Sequence, residues 1–171
     1  MKAVGFAGPS GVGKTTLMAG VIRELRAAGQ RVSVVKHAHQ GFDIDHPGKD
    51  SFRHREAGAF EVVIASRHRL AKLREFEAEV PISVHQLLAE LVECDWALVE
   101  GFKHADLLKV ELWREGTPPA YPDDPYVAAI ATPDPARLPV PTGRPVFALD
   151  DAAGVARYLL ADASRFEYTA P

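Results

Sequence analysis

Gly8-Pro9-Ser10-Gly11-Val12-Gly13-Lys14-Thr15 decides how the rest of the chain is read. It satisfies the pattern G-x-x-x-x-G-K-[ST] at every fixed position and stands between an apolar run at 2–8 and a helical pattern at 14–28. The spacing has a physical cause. Glycines let the backbone curl until successive N–H groups point at phosphate oxygens, and the positive end of the following helix faces the same anion. Lys14 supplies a mobile cation for β and γ phosphates, and the Thr15 hydroxyl can ligate Mg2+. Such a loop serves kinases, GTPases, ATPases and switches alike, so it sets a ligand class and not a reaction.

Outward from the loop, the chain alternates strands with helices. Leu17, Val21, Ile22 and Leu25 fall on one face of the helix expected at 14–28, and Gly29 is placed to end it. A second strand is expected at 32–36, a polar loop at 38–49, a short helix at 50–57 closed by Gly58, and extended segments at 61–66 and 70–76. The spacing of Val84, Leu87, Leu88 and Leu91 predicts a helix over 83–92, with Ser83 as its N-cap. Further strands fit 97–99, 108–113, 127–131 and 146–149, and a last helix fits 151–160. This order predicts an α/β P-loop NTPase three-layer sandwich, a mostly parallel sheet with helices on both faces. Nine of the 29 residues from 117 to 145 are proline, but the apolar run at 127–131 lies among them, so rigid surface loops fit better than a linker.

At 171 residues the chain is expected to form one nucleotide-binding domain, 1–171, with a core that needs no staple. Hydrophobic residues make up 47% and charged residues 25%, values of an ordinary globular chain. A formal charge of −3 provides no general attraction to nucleic acid or to an anionic membrane surface. The lone Cys94 has no internal disulfide partner, and no basic segment followed by a long apolar one opens the chain. A cytoplasmic location is expected, with neither nucleic acid nor membrane as partner.

A phosphate-binding loop needs a carboxylate at the end of a neighbouring strand to hold Mg2+ or its water. Asp95-Trp96-Ala97-Leu98-Val99-Glu100-Gly101 offers Glu100 at the C-terminal end of an apolar strand, where ligands of open α/β sheets collect. The segment 36–50 leaves the second strand on the side of the phosphate loop. It reads as a substrate or switch loop in which Asp45 or Asp50 helps position metal-bound water and Lys36 and Lys49 face anions. His37 and His39 with Asp43 or Asp45 loosely resemble a zinc set, but the spacing is unspecific and no cysteine assists. Arg67-His68-Arg69-Leu70-Ala71-Lys72-Leu73-Arg74 is a basic ribbon, open to solvation or to an anionic partner such as a phosphorylated cofactor.

Three stretches in this order, 8–15, Lys36-His37 with 42–45 and 47–51, and Val99-Glu100-Gly101-Phe102-Lys103, resemble the MobB family of molybdopterin-guanine dinucleotide biosynthesis adapters. The resemblance implies a homodimer of P-loop subunits that binds GTP with Mg2+ and hydrolyses it slowly. It further implies work with the guanylyltransferase MobA, which attaches GMP to molybdopterin; molybdopterin or its guanine dinucleotide would be a partner. By the family pattern Gly11, Gly13, Lys14, Thr15 and Thr16, with Val12 between them, contact the nucleotide, and Glu100 serves the metal together with Thr15. GTPases often read the base with Asn-Lys-x-Asp after a late strand. Thr132-Pro133-Asp134 keeps only the Asp, so Asp134 is either a base reader or a turn residue. The competing functions are a small-molecule kinase of the same fold, with Asp45 or Asp50 as base, and a molybdopterin-carrying module.

Overall fold

The apolar run that precedes the phosphate loop becomes the centre of the sheet. In the computed structural model, which describes residues 1–38 and 41–171, β1 (Lys2–Ala7) lies between β5 (Trp96–Glu100) and β6 (Lys109–Leu112). β2 (Val32–Lys36) flanks β5, while β7 (Val127–Thr132) and β8 (Val146–Ala148) extend the other side. The order is β2-β5-β1-β6-β7-β8 and every pairing is parallel. The central strands are buried almost throughout, as parallel strands covered on both faces must be.

Strand alternation sorts the core into two faces. Val4, Phe6, Trp96, Leu98, Val110 and Leu112 meet Leu17, Val21 and Leu25 of α1 (Lys14–Ala27) and Val155 and Leu159 of α4 (Ala152–Ala161). Ala3, Val35, Ala97 and Val99 point the other way, onto Val84 and Leu88 of α3 (Val84–Ala89). The expected helix ends are present. Gly29 N–H bonds Arg26 C=O and Gln30 N–H bonds Leu25 C=O, the paired closure that satisfies a helix's last carbonyls. Ser83 and Gln86 form a reciprocal capping box at the start of α3. That helix is shorter than 83–92, its last turn tightening as Leu91 N–H bonds Leu88 C=O. Asp151 caps α4 through Gly154 N–H at 2.8 Å.

The proline-rich stretch packs as surface loops around buried β7. Glu111, almost fully buried, accepts from the N–H groups of Ala120 and Tyr121, both at 2.7 Å. Tyr121 hydroxyl donates to Val140 C=O at 2.7 Å and accepts from Val140 N–H at 3.0 Å. Two loops are thereby tied to one buried carboxylate. A 3-10 helix at Ala163–Phe166, absent from the sequence reading, buries Phe166 against Trp96 with ring centroids 5.8 Å apart.

The described residues divide into two compact units, Met1–His37 with Ser83–Pro171, and Ala38–Ile82. The second holds α2 (Asp50–Glu56) and an antiparallel hairpin of β3 (Glu61–Ala65) and β4 (Leu70–Arg74). The extended segments read at 61–66 and 70–76 are thus present, but as a separate two-stranded sheet. The remainder of the expected polar loop, His39 and Gln40, lies outside the described residues. No helix among the described residues is long and apolar enough to cross a membrane.

Candidate functional site

The phosphate loop joins the C-terminal end of β1 to α1, and two of its glycines are required for different reasons, Gly8 by a close neighbour and Gly13 by its backbone conformation. A Cβ on Gly8 would stand 2.4 Å from Leu112 C=O, so β6 leaves room for hydrogen only. Gly13 is the N-cap of α1 at φ 107°, a conformation that L side chains rarely adopt. Lys14 bends back over the loop, its Nζ donating to Gly8 C=O at 2.9 Å and Pro9 C=O at 2.8 Å. Burial lowers the Lys14 pKa; Glu100 opposes that shift, and Lys36 adds to it. An anion entering the loop would restore the balance toward the charged amine.

Sheet register delivers the carboxylate. Phe6 and Lys36 both pair with Glu100, so the ends of β1, β5 and β2 lie side by side. Glu100 Oε1 accepts from Thr15 Oγ1 at 3.0 Å across 85 positions of sequence. Its other oxygen lies 3.5 Å from Lys36 Nζ. Thr15 and Glu100, expected separately as metal residues, are brought together at the mouth of the loop. A hydroxyl beside a carboxylate is the oxygen donor set that Mg2+ takes, and the glycine cradle next to it suits phosphate, so the residues present fit a Mg2+-nucleotide.

Around Glu100 the chain turns sharply, with Phe102 at φ 50°. The Phe102 ring lies 4.7 Å from the ring of His37, and His37 N–H bonds Glu100 C=O. The start of the loop after β2 and the loop after β5 therefore meet beside the carboxylate. Lys109, 3% exposed, secures the latter loop by donating to Lys103 C=O, Ala105 C=O and Asp124. Nothing in the sequence pattern marked that buried lysine.

A cleft of about 440 Å3 opens beside the loop. It is lined by Val12, Gly13 and Thr16 of the loop and first helical turn and by Arg114, Pro133, Leu149 and Asp150, each just beyond β6, β7 or β8. Asp134, expected as either a base reader or a turn residue, follows Pro133 without lining the cleft. Its carboxylate accepts from Ala136 N–H at 3.0 Å and caps a 3-10 turn. The sequence reading missed Arg114 and Asp150, although their places after strand ends were a usable signal.

In the second unit, Asp45 accepts from Ser51 Oγ at 2.9 Å and from His46 N–H, and pairs with Arg55 at 3.2 Å. Arg55 also holds Asp43 and Glu75. Burial would raise the Asp45 pKa, but these donors win and hold it below the ordinary carboxylate range. Asp50, which the sequence reading coupled to Asp45, opens α2 as its first residue. Among the described residues no three His, Cys, Asp or Glu side chains gather as they would around a metal ion, and His39 lies outside those residues.

A parallel sheet with a phosphate loop after its central strand, and a carboxylate across from the first helical turn, defines an α/β protein of the P-loop NTPase-like fold. The family described as molybdopterin guanine dinucleotide synthesis protein B, MobB, matches residues 3–133, and the chain belongs to it. It is 36% identical over 160 residues to the molybdopterin-guanine dinucleotide biosynthesis adapter protein of Escherichia coli, covering 91% of this chain and 89% of that one. It is 42% identical over 130 residues to the adapter protein of the same description from Haemophilus influenzae, covering 75% and 73%. A crystal structure of a MobB homologue from Bacillus stearothermophilus superposes with a TM-score of 0.74 at 24% identity, covering 96% of this chain and 99% of that one.

Proposed function

We propose that this chain is a GTP-binding adapter of molybdopterin guanine dinucleotide biosynthesis, a weak Mg2+-dependent GTPase that assists the guanylyltransferase MobA in the cytoplasm. The observation that carries the reading is the 3.0 Å contact between Thr15 Oγ1 and Glu100 Oε1 at the mouth of the phosphate loop. The adapter role is that of the E. coli and H. influenzae relatives. The loop's N–H groups and Lys14 would bind the phosphates, and Thr15 and Glu100 would hold the metal. Mg2+, when bound, neutralises charge on the β and γ oxygens. Fast hydrolysis would also need a positioned water and further positive charge at the γ phosphate. Lys36, beside the loop, is shared with Glu100, and this arrangement favours binding over turnover.

The proposed assembly is a homodimer. Val63, Ile64 and Leu70 of the hairpin are exposed by 56, 42 and 68%, and a second copy of the same ribbon would cover them. Molybdopterin or its guanine dinucleotide is the proposed cargo or product of the partner enzyme.

Calorimetric titration with GTP and with ATP, each with Mg2+, tests the nucleotide half, with Lys14→Ala as control. GTP is expected to bind selectively and the variant to lose at least about tenfold in affinity, the loss of one charge-assisted contact. Preference for ATP would favour a small-molecule kinase. Binding of neither nucleotide, with molybdopterin co-purifying, would favour a cofactor carrier.

A further inference from the structure

The cleft beside the phosphate loop has a charge pattern that phosphate binding leaves unused. Its apolar members are Val12, Pro133 and Leu149, and its two charged members, Arg114 and Asp150, are both exposed. Among the described residues neither head group takes part in a hydrogen bond or ion pair. Nearby aspartates differ. Asp134 caps a 3-10 turn through Ala136 N–H, and Asp151 caps α4 through Gly154 N–H. Asp150 combines an unengaged carboxylate with a place in the cleft wall.

We propose that Asp150 is the base-specificity residue of this site and that Arg114 contacts the opposite edge of the same purine. The inference rests on the nucleotide reading of the loop and deepens it. Val12, Gly13 and Thr16 belong both to the phosphate loop with its first helical turn and to this wall, so a nucleotide whose phosphates occupy the loop has the cleft beside it for its base. Flat apolar surfaces take a heterocycle face. Guanine presents two adjacent donors, N1–H and the N2 amino group, which a carboxylate accepts as a pair; its other edge presents the acceptors O6 and N7, which suit a guanidinium. Adenine presents a lone pair at N1 and no group at C2, so a carboxylate there faces an acceptor. Guanine alone of the two purines satisfies both charges at once.

The test is competitive titration of the whole protein with GTP, xanthosine triphosphate and ATP, each with Mg2+, using wild type, Asp150→Asn, Arg114→Ala and Asp134→Asn, with thermal melts to show that each variant is folded. Xanthine carries a carbonyl where guanine carries N2, so an asparagine amide that repels the guanine amino group donates to it. Asp150→Asn is expected to lose about 10- to 100-fold in GTP affinity and to gain for xanthosine triphosphate, as loss of a hydrogen bond to a charged group predicts. Arg114→Ala is expected to weaken GTP and xanthosine triphosphate alike, because both carry O6 and N7. An unchanged ratio in Asp150→Asn overturns the inference, and a reversal in Asp134→Asn instead returns the role to the residue after Pro133. In both cases wild-type GTP binding leaves the nucleotide reading standing. Binding of none of the three nucleotides by wild type overturns the nucleotide reading and this inference together.

Discussion

β5 and β3 are both five-residue strands of mainly apolar residues, Trp96-Ala97-Leu98-Val99-Glu100 and Glu61-Val62-Val63-Ile64-Ala65, yet the first is buried from Trp96 to Val99 and the second mostly exposed. The difference lies in their neighbours. β5 has β1 on one side, β2 on the other and helices over both faces, whereas β3 has only β4 as a strand partner. A two-stranded ribbon is marginal in water without further cover. Apolar content therefore states what a strand can bury, and pairing decides what it does bury. The fully paired strand is also the one that carries the site, because only neighbours in fixed register can hold Glu100 against Thr15 from another element.

The contrast is broken most directly by truncation. Leu98→Ala, at a site with no exposure, is expected to cost about 3 kcal/mol in denaturant unfolding. Leu70→Asp on the ribbon is expected to cost less than about 0.5 kcal/mol in the dilute monomer and, if the proposed homodimer forms through the ribbon, to halve the mass in sedimentation equilibrium. Equal stability losses would mean that the ribbon is as covered as the sheet. Within the well-packed unit, Ser83→Ala removes the capping box from the helix over β2 and β5 and should cost about 1 kcal/mol, read from the denaturation midpoint.

The smallest effect concerns pH. Burial raises the Glu111 pKa against the two N–H groups that favour its ionised form. A raised folded-state value means that the native protein holds this proton more tightly than the unfolded chain. The stability this gives is complete below the unfolded pKa and is lost as pH rises through the folded one. Glu111→Gln removes that dependence, so the variant should gain on wild type from acid to neutral pH. A difference constant across that range would contradict the burial argument.

Much of this was legible in sequence for physical reasons. Lys14 and Thr15 follow a loop in which Gly8 lies too close to β6 for a side chain and Gly13 takes a positive φ, and Glu100 ends an apolar run. Leu17, Val21 and Leu25 repeat with helical period and are buried as that period predicts. The hairpin was legible as two extended segments but not as a separate sheet, because Val62-Val63-Ile64 reads like any core strand. The Thr15–Glu100 contact depends on register, which a single chain does not display. Arg114 and Asp150 are single charged residues after unrelated strands, with no spacing to connect them. Asp134 stood out through its partial likeness to a base-reading motif, while local geometry gave its carboxylate a cap. Lys109 and Glu111 look like the polar half of an alternating strand, and only tertiary packing buries both.

In the proposed nucleotide site, Thr15 and Glu100 form the metal pair. GTP affinity measured by calorimetry with Mg2+ and again with the metal chelated, in wild type and in Glu100→Gln, tests it most directly. Wild-type affinity should fall by at least about tenfold on chelation, the loss of one charged interaction, and the variant should show a weaker affinity that barely responds to the metal. A variant that keeps the full Mg2+ response, or a wild type indifferent to it, would contradict the claim.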